Sequence, residues 1–270
     1  MVVDAHTHTH PDRDGMGEGC DASLEHLLES MESCGVDKAV LLAEAVDVPY
    51  IKRIDNRFVG ECCRKHPDRL IGFASVHPQE DGAVARFEED VRRYGLQGLK
   101  LHPRFQGVSA DDPRLAPLVE KAAELGVPVA VDAFLWKPTP LRLQLPINID
   151  ALCKRVPEAK IILCHAGGFH FMDALAVVVA NDNAYLEISA TLPYFQGTPF
   201  EDQFMFALKQ AGPHRVIYGS DHPQKSMGAC LEQARTVLER HGFTEDDVAW
   251  ILGKTMLSVL PGGEEPPGRT

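Results

Sequence analysis

The sequence predicts a single (β/α)₈ TIM barrel with an extra C-terminal helix. Three observations predict it. Eight short apolar runs are each followed by a stretch with helical character, the composition does not change along the 270 residues, and polar side chains of the metal-ligand type recur where the apolar runs stop. Strand and helix in alternation call for parallel pairing through right-handed crossovers. Eight such units fit one closed barrel better than two domains. A doubly wound open sheet is the alternative, but no Gly-x-Gly-x-x-Gly turn follows the first run to support a dinucleotide site.

The first strand is placed at residues 2–5 and runs into His6 and His8. A polar, Gly-rich loop over 11–19 leads to Asp21, an acceptable cap for a helix ending near Gly35. The second run covers 38–45, with a helix-like stretch over 49–66, and the third covers 70–77, with helical charge spacing over 82–94. The fourth strand is expected at 96–102 with a helix over 113–125, and the fifth at 127–133 with a helix over 147–156. Runs at 160–165, 184–190 and 215–221 complete the eight, with helices at 171–179 and 200–211 between them. The last helix, 245–260, lies beyond the eighth unit and ends the barrel domain at 1–260, leaving a flexible Gly/Pro-rich tail at 261–270.

Composition narrows the function. With 44% hydrophobic and 24% charged residues the chain is an ordinary globular one, and its longest apolar runs are too short to span a bilayer. A net charge of -12 argues against nucleic acid as a partner. Seven scattered cysteines without metal-finger spacing read as reduced thiols, and with no signal peptide before the first strand a cytoplasmic location is expected. The expected partner is a small-molecule substrate, with neither nucleic acid nor membrane involved, and a homodimer is an open option for the oligomeric state.

Chemistry gathers at the carboxyl ends of barrel strands. Those ends carry, in order, His6 and His8, Glu44, His77, Lys100 and His102, Asp132, His165, Glu187, then Asp221 and His222. Such side chains are costly to bury unless they pair or coordinate. His6 and His8 share a face by the two-residue strand period, so their imidazoles form half of a metal site. Surface exposure or a core hydrogen bond is the plainer reading of any single histidine.

Asp4-Ala5-His6-Thr7-His8, Gly98-Leu-Lys-Leu-His-Pro103, Cys164-His-Ala-Gly-Gly168 and Tyr218-Gly-Ser-Asp-His-Pro223 together resemble the amidohydrolase superfamily. More narrowly, they resemble its branch of barrel hydrolases and decarboxylases that includes aminocarboxymuconate-semialdehyde decarboxylase and pyrone-dicarboxylate lactonase. The matches run from the first strand to the eighth. The resemblance implies one divalent ion held by His6, His8, a histidine after strand five and Asp221; Zn²⁺ is expected, and a carboxylate ligand at strand five would admit Mn²⁺ as well.

At the strand-five position the family pattern ends in histidine, whereas this chain has Pro128-Val-Ala-Val-Asp132. Three roles for Asp132 stand side by side: a carboxylate ligand in a His₂Asp₂ site, a bystander while His165 or His102 supplies the third nitrogen, or a structural hydrogen-bond acceptor in a degraded site. The end of the chain departs as well, with Thr255 where relatives carry asparagine.

Asp221 reads as both ligand and proton acceptor, against a helix N-cap as the plainer role. The resemblance gives His165 the task of polarising the reacting carbonyl or assisting proton transfer, with Gly167 and Gly168 letting the backbone turn close to a ligand. Lys100 and His102 share a face and are assigned with Arg104 and Trp136 to substrate binding, Lys100 countering a substrate carboxylate and the loop residues overhanging the site. Arg13 is a further loop cation of this kind, and Ser189, Tyr194 and Phe195 are pocket candidates. The expected function is a metal-dependent hydrolase of a lactone, an amide or a similar carbonyl. A decarboxylase of a small unsaturated or aromatic acid is the first alternative and a non-catalytic, ligand-binding barrel the second.

Overall fold

Valine, isoleucine and leucine in runs bounded by turns fit strands covered on both faces, and each of the eight runs forms one. The strands are β1 (Val3–Thr7), β2 (Lys38–Leu42), β3 (Leu70–Ser75), β4 (Leu99–Leu101), β5 (Val129–Asp132), β6 (Ile161–Cys164), β7 (Ala184–Glu187) and β8 (Val216–Ile217). The computed structural model describes residues 1–48, 51–135, 137–264 and 266.

The strands pair in parallel in sequence order, β1 to β8. The ring closes where Thr7 bridges His222 and where backbone N–H groups of Ala5, Asp221 and His8 donate to Tyr218, His6 and His222 at 3.0, 2.9 and 2.8 Å. This is the expected eight-stranded barrel. β8 is shorter than the 215–221 run because the backbone at Tyr218 leaves the β7 ladder, its N–H donating to Ile251 of the C-terminal helix at 2.9 Å.

Two apolar layers hold the barrel. Inside it, Val3, Ala5, Val40, Leu42, Phe73, Ala130, Ile162, Tyr185 and Ile217 form one cluster, sealed at the amino end by Met256, Val259 and Leu260. The second layer lies between strands and helices, where Leu27, Met31, Phe87, Val119, Val178, Phe204 and Leu238 meet the outward faces of the strands. In β1 the inward residues change parity. Val3 and Ala5 face the core while His6 and His8 face the mouth, and the β1–β2 register shifts between Asp4 and Thr7. The irregularity turns an apolar strand into one that ends in two inward histidines.

Helix boundaries depart from the sequence reading where local hydrogen bonds compete. Asp21 is not the first cap. Ser23 is, its hydroxyl accepting from His26 N–H, while Asp21 accepts from Ser23. The stretch read as helical over 49–66 becomes a helix only over Asn56–Lys65, capped by Asp55, because Ile51 and Ile54 are taken up in antiparallel bridges to Val48 and Glu44. Residues 49 and 50 lie outside the described residues. The 113–125 and 147–156 helices shorten to Ala116–Glu124 and Asp150–Arg155, the latter preceded by a 3₁₀ turn. Short helices at Pro103–Gln106 and Thr191–Phe195, within loops at the mouth, were not legible as such.

The final helical run is present as Glu245–Ala249 and Thr255–Val259 joined by a π-helical turn over Trp250–Lys254. That turn places Ile251 O on Tyr218 N–H and Gly253 against the chain's start. Among the described residues all seven cysteines are free, and no helix is long and apolar enough to cross a membrane.

Candidate metal centre and active site

At the carboxyl end of the barrel a cavity of about 260 Å³ opens over His6, His8, Glu44, His102, Asp132, His165 and Asp221. Its walls are apolar where Val48, Ile51, Phe105 and Phe134 contribute, and Arg104 and Lys137 add cations. Strand ends that lie far apart in sequence thus meet in one place, as parallel pairing dictates.

The two histidines of β1 are held by their Nδ1 atoms. His6 Nδ1 lies 2.8 Å from Glu187 Oε2 and His8 Nδ1 lies 3.2 Å from Leu42 O. Both partners accept, so each ring carries its proton on Nδ1 and presents an Nε2 lone pair to the cavity. Burial and the neighbouring Lys100 ammonium hold His6 well below its ordinary pKa and His8 down at about 3. Neutral imidazole is the form that binds a metal.

Asp221 completes the group. Its backbone N–H donates to His6 O at 2.9 Å, its φ is +69°, and its Oδ1 stands 3.7 Å from His6 Nε2. The N-cap of the following helix is Ser226, so Asp221 is not spent on capping. Ligand atoms of His6, His8 and Asp221 all lie within 4.8 Å of one another. His6, His165 and Glu187 meet the same spacing. There, however, Glu187 Oε2 is already taken by His6, the His165 N–H at 3.1 Å and the Ser189 hydroxyl at 2.8 Å.

The buried charges fit a divalent cation. Among the described residues, the buried carboxylates Glu44, Asp132 and Glu187 gather with Asp221 at this end of the barrel, where Lys100 is the one buried lysine and Arg104 and Lys137 line the cavity. Carboxylates gathered in a buried site need cations or protons beside them. Two imidazoles and a carboxylate suit Zn²⁺ or Mn²⁺.

His165 ends β6 at φ +58°, followed by Ala166 and two glycines that also have positive φ. An added Cβ on Gly168, at φ +56°, would meet the Phe134 ring at a tight 3.1 Å, so both the backbone conformation and the space favour glycine here. His165 Nδ1 lies 2.9 Å from Ser189 Oγ, and its Nε2 faces Asp132 Oδ2 at 3.3 Å. Burial pushes its pKa down, but Asp132 and Asp221 outweigh burial and raise it. Four non-glycine residues with positive φ, His165, Ala166, Ala190 and Asp221, cluster around this mouth.

The structure sorts the remaining expected site residues. Asp132 belongs to neither ligand group. Its oxygens lie 3.0 Å from Arg104 Nε and 3.3 Å from His102 Nε2. Burial pushes its pKa up, yet Arg104 and His102 hold it well below the usual carboxylate range. His102 and Arg104 line the cavity, with His102 Nδ1 2.5 Å from Glu44 Oε2.

Lys100 lies lower than expected. It is fully buried beneath the floor, its ammonium 3.3 Å from Cys164 Sγ, and it reaches the site only through its charge. Trp136 lies outside the described residues. Arg13 pairs with Asp21 at the exposed surface, and Tyr194 and Phe195 do not line the cavity. Glu187 and Glu44 are contributors to which the sequence assigned no role, while Ser189, a pocket candidate, stands behind His165. Glu44 and Glu187 were visible as acids closing apolar runs, but their partners lie on other strands.

The family model described as Amidohydrolase matches residues 3–260. An uncharacterized TIM-barrel protein from Bordetella bronchiseptica superposes with a TM-score of 0.79 at 17% identity, covering 94% of this chain and 96% of its own. 5-Carboxyvanillate decarboxylase from Sphingomonas paucimobilis follows at TM-score 0.72 and 16% identity, with 96% and 98% covered. A probable 2-pyrone-4,6-dicarboxylic acid hydrolase from Acinetobacter baumannii gives 0.67 and 17%, again with 96% and 98% covered. At these identities the likeness is one of fold. No curated protein matches the chain.

Proposed function

The chain belongs to the amidohydrolase family, and from that membership we propose that it is a metal-dependent hydrolase of a small, carboxylated lactone or amide. The observation that carries the reading is the convergence of His6, His8 and Asp221 at the floor of the cavity. A divalent ion held there would supply Lewis-acid polarisation of the substrate carbonyl and lower the pKa of an attacking water.

The protein's own groups do the rest. The Asp221 carboxylate, anchored through its backbone to His6, accepts the proton of the attacking water. His165, whose pKa is raised by its acidic neighbours, carries a proton on Nε2 and gives it to the departing oxygen or nitrogen. Phe105 and Phe134 close the sides and exclude bulk water, and Lys137 at the rim faces a substrate carboxylate.

The apolar walls favour one second reading. A carboxylate bound against Phe105 and Phe134 is poorly solvated there, which promotes loss of carbon dioxide, with Asp221 protonating the product carbon. Incubating the metal-loaded protein with a panel of pyrone lactones, small amides and hydroxybenzoic acids tests both. Ring-opened or hydrolysed acid supports the hydrolase, released carbon dioxide supports the decarboxylase, and neither product from any member counts against an enzyme of this substrate class.

A further inference from the structure

The strand-five carboxylate sits next to the candidate metal centre without joining it, and the reason lies just past the end of the neighbouring strand. β4 and β5 pair with Lys100 opposite Ala130, so two residues on His102 stands beside Asp132 and Arg104 follows just beyond. Arg104 Nη2 donates to Asp132 Oδ2 at 3.3 Å, and Arg104 Nε, whose N–H donates to His102 Nε2 at 3.0 Å, lies 3.0 Å from Asp132 Oδ1 as an ion pair. His102 Nε2 and His165 Nε2 each approach Oδ2 to 3.3 Å, and Phe134 N–H approaches Oδ1 at 3.4 Å. Both oxygens are thus engaged, Oδ2 by the Arg104 Nη2 donor and Oδ1 by Phe134 N–H, with the guanidinium charge beside them.

Arg104 is itself held in place. Its Nη1 donates to Phe134 O at 3.1 Å, its Cζ lies 4.7 Å from the centre of the Phe105 ring, and its side chain is only 7% exposed. To free an Asp132 oxygen for an ion, the protein would have to strand a buried guanidinium, which is costly.

We propose that Arg104 withholds Asp132 from the metal, so that His6, His8 and Asp221 are the protein's complete ligand set. The inference rests on the metal-dependent reading above. It gives the substitution at strand five a consequence: the missing histidine is replaced not by a carboxylate ligand but by an Arg–Asp pair in the cavity wall. One more coordination position is then open to water and substrate.

Co²⁺ is the probe, because its visible spectrum reports ligand number and geometry. Metal-stripped parent, Asp132→Asn and Arg104→Met are titrated with Co²⁺ against a chromophoric chelator and their spectra recorded. Asp132→Asn should reproduce the parental spectrum. Arg104→Met should change it and tighten binding by about tenfold or more as the released carboxylate enters the shell.

Loss of the parental spectrum in Asp132→Asn would overturn the proposal, and so would an Arg104→Met protein indistinguishable from the parent. Should Arg104→Met fail to fold, the near-isosteric Asp132→Asn arm decides alone. Binding by Arg104→Met but not by the parent would uphold the withholding role and sink the metal-dependent reading. No binding by either would sink both.

Discussion

The imidazole of His6 and the carboxylate of Glu187 meet at 2.8 Å across 181 residues of sequence, β1 reaching β7 through the floor of the barrel mouth. Glu187 also takes the His165 N–H and the Ser189 hydroxyl, so one buried acid fixes the orientation of two site histidines. Such outer partners of metal ligands set affinity nearly as strongly as the ligands do. Glu187→Gln should therefore weaken Zn²⁺ binding by about 10–100-fold while the far-ultraviolet circular dichroism stays parental. An unchanged dissociation constant from chelator competition would count against this role.

Asp221→Asn removes the proposed proton acceptor and keeps the shape. Turnover of whichever substrate the panel identifies should fall by about 10²–10⁴-fold. Metal content, measured alongside, separates the two roles of the residue. Full occupancy with lost turnover marks proton transfer, and parallel loss of both marks ligation. A variant as active as its parent would remove Asp221 from the chemistry.

Away from the site, Glu201 accepts from Gly197 N–H at 2.6 Å and lies 2.7 Å from His241 Nε2, with Arg240 also paired to it. These contacts, the Gly197 amide first, lower its pKa from 4.5 to about 2. A carboxylate depressed in the folded state contributes stability above its unfolded pKa and loses it as the pH falls through the folded value. Glu201→Gln should thus melt below the parent at pH 7, by the few degrees that about 1–3 kcal/mol represents. The gap should narrow steadily between pH 4.5 and pH 2. A gap independent of pH would show that packing, not charge, is what the variant loses.

Gly98 is required by packing. A Cβ placed there would lie 2.4 Å from the Phe73 ring inside the barrel. Gly98→Ala should destabilise the protein by about 1–3 kcal/mol, the cost of overpacking a filled core. Denaturant unfolding reads this directly, and a midpoint at or above the parental one would contradict it.

Much of this molecule is legible before folding, and the reasons are local. Strand runs such as 70–77 and 160–165 show because residues covered on both faces must be apolar throughout. The site shows because Asp132, His165, Glu187 and Asp221 interrupt those runs at the same end. What stays hidden depends on depth and on neighbours. Lys100 has the expected inward parity, yet parity does not say that it lies under the floor against Cys164. Asp132 can be read as a ligand from its position in β5, since the competing Arg104 sits in the short helix after β4, a placement no motif encodes. Asp21 resembles a cap, but Ser23 stands two residues closer to the helix and takes the role.

The barrel closes where His8 N–H meets His222 O and Asp221 N–H meets His6 O. During synthesis the first strand therefore emerges with two of the three proposed ligands and must wait for nearly the whole chain before the third can be threaded beside it. Contacts of such long range form late. Metal capture at full strength then reports the last act of folding, and a chain stalled before residue 221 would carry its histidine pair without being able to retain the ion.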